Sequence, residues 1–292
     1  MDEKFFLIND LIAITISDFG AELQSIKTRK GTELIWQARK NVWPRHAPTL
    51  FPIVGRLVND QLVHQGIAHT LTQHGFARDH LFDNILLEHN QAWFRLVDND
   101  DTLKYYPFSF EFIVRYILEQ NTLHIDYVVR NQQKNELPFS LGGHPAFIYP
   151  IYPHADKDEH LIQFAKPETE KIWQLQAGLL HKKINSPLND NNLELTPGLF
   201  DQDALIFTNL NSRTVNYGIK DKTALKIHFA DFPDLGVWSK PNADFVCIEP
   251  WSGYASKTDY SGEFIEKEGI IRLPAYSERT WRYSIEVVTE DL

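Results

Sequence analysis

A period of two runs through most of this chain, and it constrains the fold more than any other feature. "LIAITIS" (11–17) and "AELQSIKT" (21–28) alternate apolar and polar residues on either side of "DFG". "AWFRLVD", "FEFIVRYIL" and "TLHIDYVVR" do the same, with "EQN" as a tight turn between the last two. Further along, "ALIFTNL", "TALKIHFA", "LGVWSKP", "DFVCIEP" and "RTWRYSIEVV" continue the pattern. Alternation places every second side chain on one face of a strand, and β-branched and aromatic residues suit that surface. Breakers such as "KPET", "NDNN" and "PNAD" separate the runs. Helical periodicity is nearly absent, with "YSGEFIEKEG" offering a turn or so. Many short strands with turn signals every ~8–12 residues predict an all-β antiparallel sandwich. No blade-like repeat points to a propeller, and no linker or composition shift divides residues 1–292, so a single domain is expected.

Composition narrows the partners. A net charge of -10 and a pI near 5.6, without a Lys/Arg cluster, argue against nucleic acid. The lone cysteine, Cys247, excludes an internal disulfide and fits a reducing cytoplasm. "MDEKFFLIND" lacks the features of a signal peptide, and no apolar run approaches a membrane span, so no membrane partner is expected. Nothing in the sequence sets an oligomeric state.

Stretches that depart from simple alternation are "LFPIVGRLVND" (50–60), "QHGFARDHLF" (73–82), "LGGHPAF" (141–147) and "CIEPWSGYAS" (247–256). Each joins an ionisable residue to Gly or Pro near aromatics, the composition of a concave site. His144 follows two glycines and precedes a proline. It is either a core histidine with both ring nitrogens bonded, or an acid–base group approached by ligand where glycine frees the backbone. Glu249, flanked by apolar residues, is either a salt-bridged carboxylate at a strand end or a base with a raised pKa. Trp251 is core or a stacking face for a sugar. If "HGFAR" is extended, His74 and Arg78 share one face; Arg56 and Arg78 then grip hydroxyls or phosphate, or simply pair strands. Asp201 and Asp203 head a strand as turn formers or ligand contacts. His80 has no role beyond packing. HExxH, CxxC, GxSxG and phosphate-loop patterns are all missing, so no metal, no cofactor and no activated nucleophile is expected, only proton transfer or binding.

With "FPIVGRL", "HGFAR", "GGHPAF" and "CIEPW" in that order, the chain resembles the aldose 1-epimerase (galactose mutarotase-like) family, specifically its LacX-like branch, with a relation to hexose-6-phosphate 1-epimerases. The resemblance implies a large β-supersandwich with a sugar cleft. It further implies that His144 protonates the ring oxygen, Glu249 takes the C1 hydroxyl proton, Arg56 and His74 hold hydroxyls, and Asp203 anchors the far side of the ring. Because "HGFAR" is similar to the hexose-6-phosphate branch, Arg78 leaves the substrate open between a hexose and its 6-phosphate. Two other readings compete: a non-catalytic sugar-binding or sensing protein on the same fold, and a glycoside-active enzyme pairing Glu249 with Asp203.

Overall fold

The computed structural model describes residues 2–288, and among them the alternating runs become strands close to their expected bounds. Phe110–Glu119 and Thr122–Asn131 pair in antiparallel register about the 119–122 turn, where Gln120 takes a φ of 54°. They form the middle of a nine-stranded antiparallel sheet. Its order is Asn192–Glu194, His160–Phe164, Thr214–Ile219, Lys222–His228, Glu278–Val287, Thr122–Asn131, Phe110–Glu119, Gln91–Val97, Asp83–Leu87. A second sheet runs Leu179–Ile184, Ile172–Gln176, Leu205–Phe207, Asp234–Trp238, Phe245–Ser252, Leu141–Gly143, Thr49–Leu50, with Ala146–Ile148 also pairing to Phe245–Ser252. Among the described residues helix is confined to Thr102–Tyr105 and short 3-10 turns, one of which, Phe264–Glu266, falls in the segment expected to turn once. Short edge strands such as Leu179–Ile184 escape sequence detection because "LLHKKI" is mostly exposed and does not alternate.

The two sheets meet through aromatic side chains. Phe51, from the second sheet's edge, stacks on Phe112 of the first at 4.5 Å. Phe164 and Phe207 approach to 5.1 Å, and the Tyr217 hydroxyl donates to the Ile148 carbonyl at 2.8 Å. This interleaving is the sandwich core, about as deep as two sheets packed face to face allow.

Among the longer strands one is unlike the rest. All eight residues of Phe245–Ser252 are buried, although a sandwich strand ordinarily buries one face. Val246 and Ile248 join the main core, while Phe245, Cys247 and Trp251 lie in two smaller apolar clusters beneath the connecting loops. Glu249 shares their face and stands between those clusters. The fold thus creates a covered floor on the outer side of the second sheet. No helix among the described residues is long and apolar enough to cross a membrane.

Candidate active site

Strand register creates the central pair. Gly142 faces Trp251 and Ala146 faces Cys247, so position 144 falls opposite position 249. The ladder breaks between them because Pro145 has no N–H to give, though its carbonyl accepts from Ile248. His144 Nε2 therefore lies 3.2 Å from Glu249 Oε2.

Both groups are buried, at 7% and 1% exposure. Burial pushes His144 down to about 3, with the Arg78 guanidinium adding to the effect. Burial also raises Glu249 well above the usual carboxylate range, with the Asp203 carboxylate adding to it. Desolvation disfavours each charged form. Burial thus favours the uncharged form of each group, and a proton passed from the carboxyl to the imidazole would turn the pair into carboxylate and imidazolium.

A cleft of about 320 Å³ opens over this pair. His74, Arg78, His144, Asp203, Glu249 and Trp251 all line it. Four of their polar atoms are buried without a hydrogen bond: Arg78 Nε, His144 Nδ1, Glu249 Oε2 and Trp251 Nε1. Native interiors leave few such atoms, so their convergence on one hollow singles it out as the candidate ligand site. The orphaned Nδ1 decides against His144 as a core histidine with both nitrogens satisfied. Glu249, for its part, sits in mid-strand and not at a strand end, with His144 as its partner.

Two expectations need correction. The segment holding His74 and Arg78 is not extended. His74 has a φ of 68° and Ala77–Asp79 is a 3-10 turn. Both side chains still reach the cleft, while Phe76 packs into the core against Phe51 and Phe110. The glycines before His144 serve packing. A β-carbon on Gly142 would lie 2.5 Å from the Trp251 indole, and one on Gly143 would meet the Tyr283 hydroxyl at 2.7 Å. Gly236, on the other neighbouring strand, also comes within 2.5 Å of the indole. Trp251 thus lies in a slot cut by glycines on both sides.

Arg56 does not line the cleft. Its guanidinium donates to both Asp60 carboxylate oxygens at 2.7 Å and to the Ala177 carbonyl at 3.2 Å, which holds it at the rim. Asp203 faces the hollow, whereas Asp201 lines a different one near Gly198. His74 Nδ1 accepts from the Gly55 N–H at 3.2 Å. That bond makes Nε2 the proton-bearing nitrogen; the Gln73 side-chain nitrogen 3.3 Å away is itself a donor and leaves that N–H without an acceptor there. Burial lowers His74 well below its ordinary pKa, so it stays neutral and offers one N–H donor. Arg78 is lowered to about 10, first by burial and then by Arg45, and is steadied by a 2.7 Å bond to the Gln73 carbonyl.

Sequence reasoning missed Trp43, Gln73 and Trp238. Trp43 stacks on the His144 ring at 5.1 Å, and Trp238 meets that ring edge-on at 6.0 Å. The one available signal was Trp43 beside Pro44 in a segment without periodicity. No contiguous motif announced a metal either, yet the ligating atoms of His144, Cys247 and Glu249 all lie within 4.8 Å of one another.

Known proteins share this architecture. A galactose mutarotase related enzyme from Lactobacillus acidophilus superposes with a TM-score of 0.93 at 34% identity, covering 98% of each chain. A galactose mutarotase-like protein from Lactobacillus casei ATCC 334 gives 0.91 at 27% identity, over 98% of this chain and 100% of that one. Protein LacX of Lactococcus lactis subsp. lactis is 29% identical over 97% of this chain and 98% of its own. The model of the aldose 1-epimerase family matches residues 3–272. On that match, this galactose mutarotase-like β-sandwich belongs to the aldose 1-epimerase family, a family of sugar epimerases.

Proposed function

We propose that the protein interconverts the α and β anomers of a hexose or hexose 6-phosphate, with Glu249 as base and His144 as acid. The observation that carries this reading is the buried 3.2 Å approach of the two groups at the floor of a cleft with orphaned polar atoms. Ring opening removes a proton from the C1 hydroxyl and delivers one to the ring oxygen. Rotation about C1–C2 and the reverse transfers close the ring on its other face. A pair that keeps one proton between its members suits this cycle, because the proton count returns to its start whichever face closes. Each positioned acid or base contributes roughly 10²–10⁴-fold, and orientation adds to that.

The remaining residues then take supporting roles. Trp251 offers an indole face, His74 donates from Nε2, and Asp203 accepts from the far side of the ring. Arg78 meets a hydroxyl or a phosphate. Arg56, engaged by Asp60, acts on sugar only if that pair opens on binding. One core cluster drawing side chains from Phe5 to Val287 supports treating the chain as a single working unit, and the lone thiol fits a cytoplasmic role in carbohydrate metabolism.

Anomer exchange measured by NMR on galactose, glucose and their 6-phosphates, for wild type and Glu249→Gln, tests the proposal. Acceleration that the variant abolishes is expected. Binding without acceleration on any sugar would make this a sugar-binding or sensing protein and reduce His144 and Glu249 to ligand contacts. Cleavage of an aryl glycoside would point instead to glycoside chemistry.

A further inference from the structure

Cys247 stands two residues before Glu249 on the same strand face, and acid–base chemistry has no use for it. It has no exposed surface and does not line the cleft, whereas His144 and Glu249 do. The three side chains supply one nitrogen, one sulfur and one oxygen donor, mutually within 4.8 Å. Around a tetrahedral zinc ion, with ligand bonds of ~2.0–2.3 Å, donor atoms stand roughly 3.3–3.8 Å apart. His144 Nε2 and Glu249 Oε2, at 3.2 Å, are already spaced like one edge of that tetrahedron. Oε2 makes no hydrogen bond beyond its 3.2 Å approach to His144 Nε2, itself one of the ligands, so ligation takes the place of that contact. Strand Phe245–Ser252 fixes the Cys247 and Glu249 backbones, and the pairings of Gly142 and Ala146 on either side hold His144 opposite, leaving small side-chain rotations to close the set.

We propose that His144, Cys247 and Glu249 form a three-ligand site for a borderline-soft divalent cation, Zn2+ above all, which enters from the cleft, keeps its fourth position open to it, and blocks turnover. The mixed nitrogen and sulfur donors select against Mg2+ and Ca2+, which take oxygen ligands. On ligation the Cys247 thiol and the Glu249 carboxyl each give up a proton to solvent and bind as thiolate and carboxylate, with His144 neutral. Blocking follows because the ion occupies the lone pairs that move protons. That consequence rests on the acid–base reading, whereas the binding does not.

Cobalt separates the two. Metal-free full-length protein titrated with Co2+ should develop a thiolate-to-cobalt charge-transfer absorption, which added Zn2+ abolishes. Cys247 is the chain's one cysteine, so the band can arise nowhere else. Cys247→Ala should lack the band, keep its unliganded anomer exchange, and need at least tenfold more Zn2+ for half inhibition. Cys247→Ser, closer in size, replaces it if the alanine variant does not fold. No band in wild type, or a band that survives loss of the thiol, would overturn the site. Equal Zn2+ sensitivity of wild type and variant would overturn the blocking role. A band in a protein that accelerates no sugar would uphold the site and refute the acid–base reading.

Discussion

Trp43 lies almost flat against His144, ring planes 27° apart and centroids 5.1 Å apart. An indole face attracts a cation, worth about 0.5–2 kcal/mol. The contact therefore favours imidazolium in a place where burial opposes it. Trp43→Leu keeps the site apolar but removes that attraction. The expected result is a ~3–30-fold fall in kcat, with the acid limb of the pH–rate profile moved to lower pH. A profile that moves to higher pH, or a change confined to KM, would make Trp43 a sugar contact instead.

Removing either member of the buried pair tests the chemistry. Glu249→Gln and His144→Asn should each lower kcat by at least ~10²-fold while sugar binding persists. Saturation-transfer NMR reads exchange, and calorimetry reads binding. Little loss in either variant would end the assignment.

Stability should depend on pH through Glu249 with a definite sign. Its folded pKa lies above the usual 4.5, so the folded state keeps a proton that the unfolded chain releases above that pH. This side chain is thus neutral for folding below 4.5 and increasingly costly above it, until pH passes its folded pKa. Glu249→Gln should gain on wild type by up to about 1.4 kcal/mol per pH unit across that range. Denaturant melts at several pH values measure the difference, and a constant offset would show that Glu249 is ionised in the folded protein.

Arg78 decides between free and phosphorylated sugars. A charged hydrogen bond is worth about 1.5–3 kcal/mol, so Arg78→Ala should weaken a hexose 6-phosphate ~10–100-fold and a free hexose far less if it grips the phosphate. Equal losses would rule out a phosphate grip and leave Arg78 a contact to a hydroxyl shared by both sugars, or a charge acting through His144 and His74, both of which it depresses.

The slot around Trp251 makes a prediction independent of charge. Gly236→Ala places a methyl where the indole lies, and overpacking of this kind costs about 1–3 kcal/mol. Calorimetry should show a lowered Tm, with KM raised as the displaced indole tilts into the cleft. An unchanged Tm would mean that the slot has slack the geometry does not display.

The sheets were legible because alternation is local: "FEFIVRYIL" needs no partner to declare its buried face. The site was legible where Gly or Pro interrupts that alternation, which is how His74, Arg78, His144 and Glu249 stood out. What local pattern cannot supply is register. Nothing in "GGHPAF" or "CIEPW" states that 144 will face 249; that follows from pairing across more than a hundred residues. Trp43 was missed because it reaches the site from an aperiodic loop. Arg56 lies at the rim because Asp60, four residues on, engages it, a local pairing that the motif alone does not announce.

The strand Phe245–Ser252, covered on both faces, has a consequence for how such an enzyme can diversify. Its residues answer to the core and to the cleft at once, so few substitutions there satisfy both. His74, Asp203 and Trp43 come from connecting segments that answer mainly to the cleft. New sugar preferences should therefore arise by exchanging those loops over an unchanged floor, and a library that varies the loops alone should keep its fold more often than one that varies the strand.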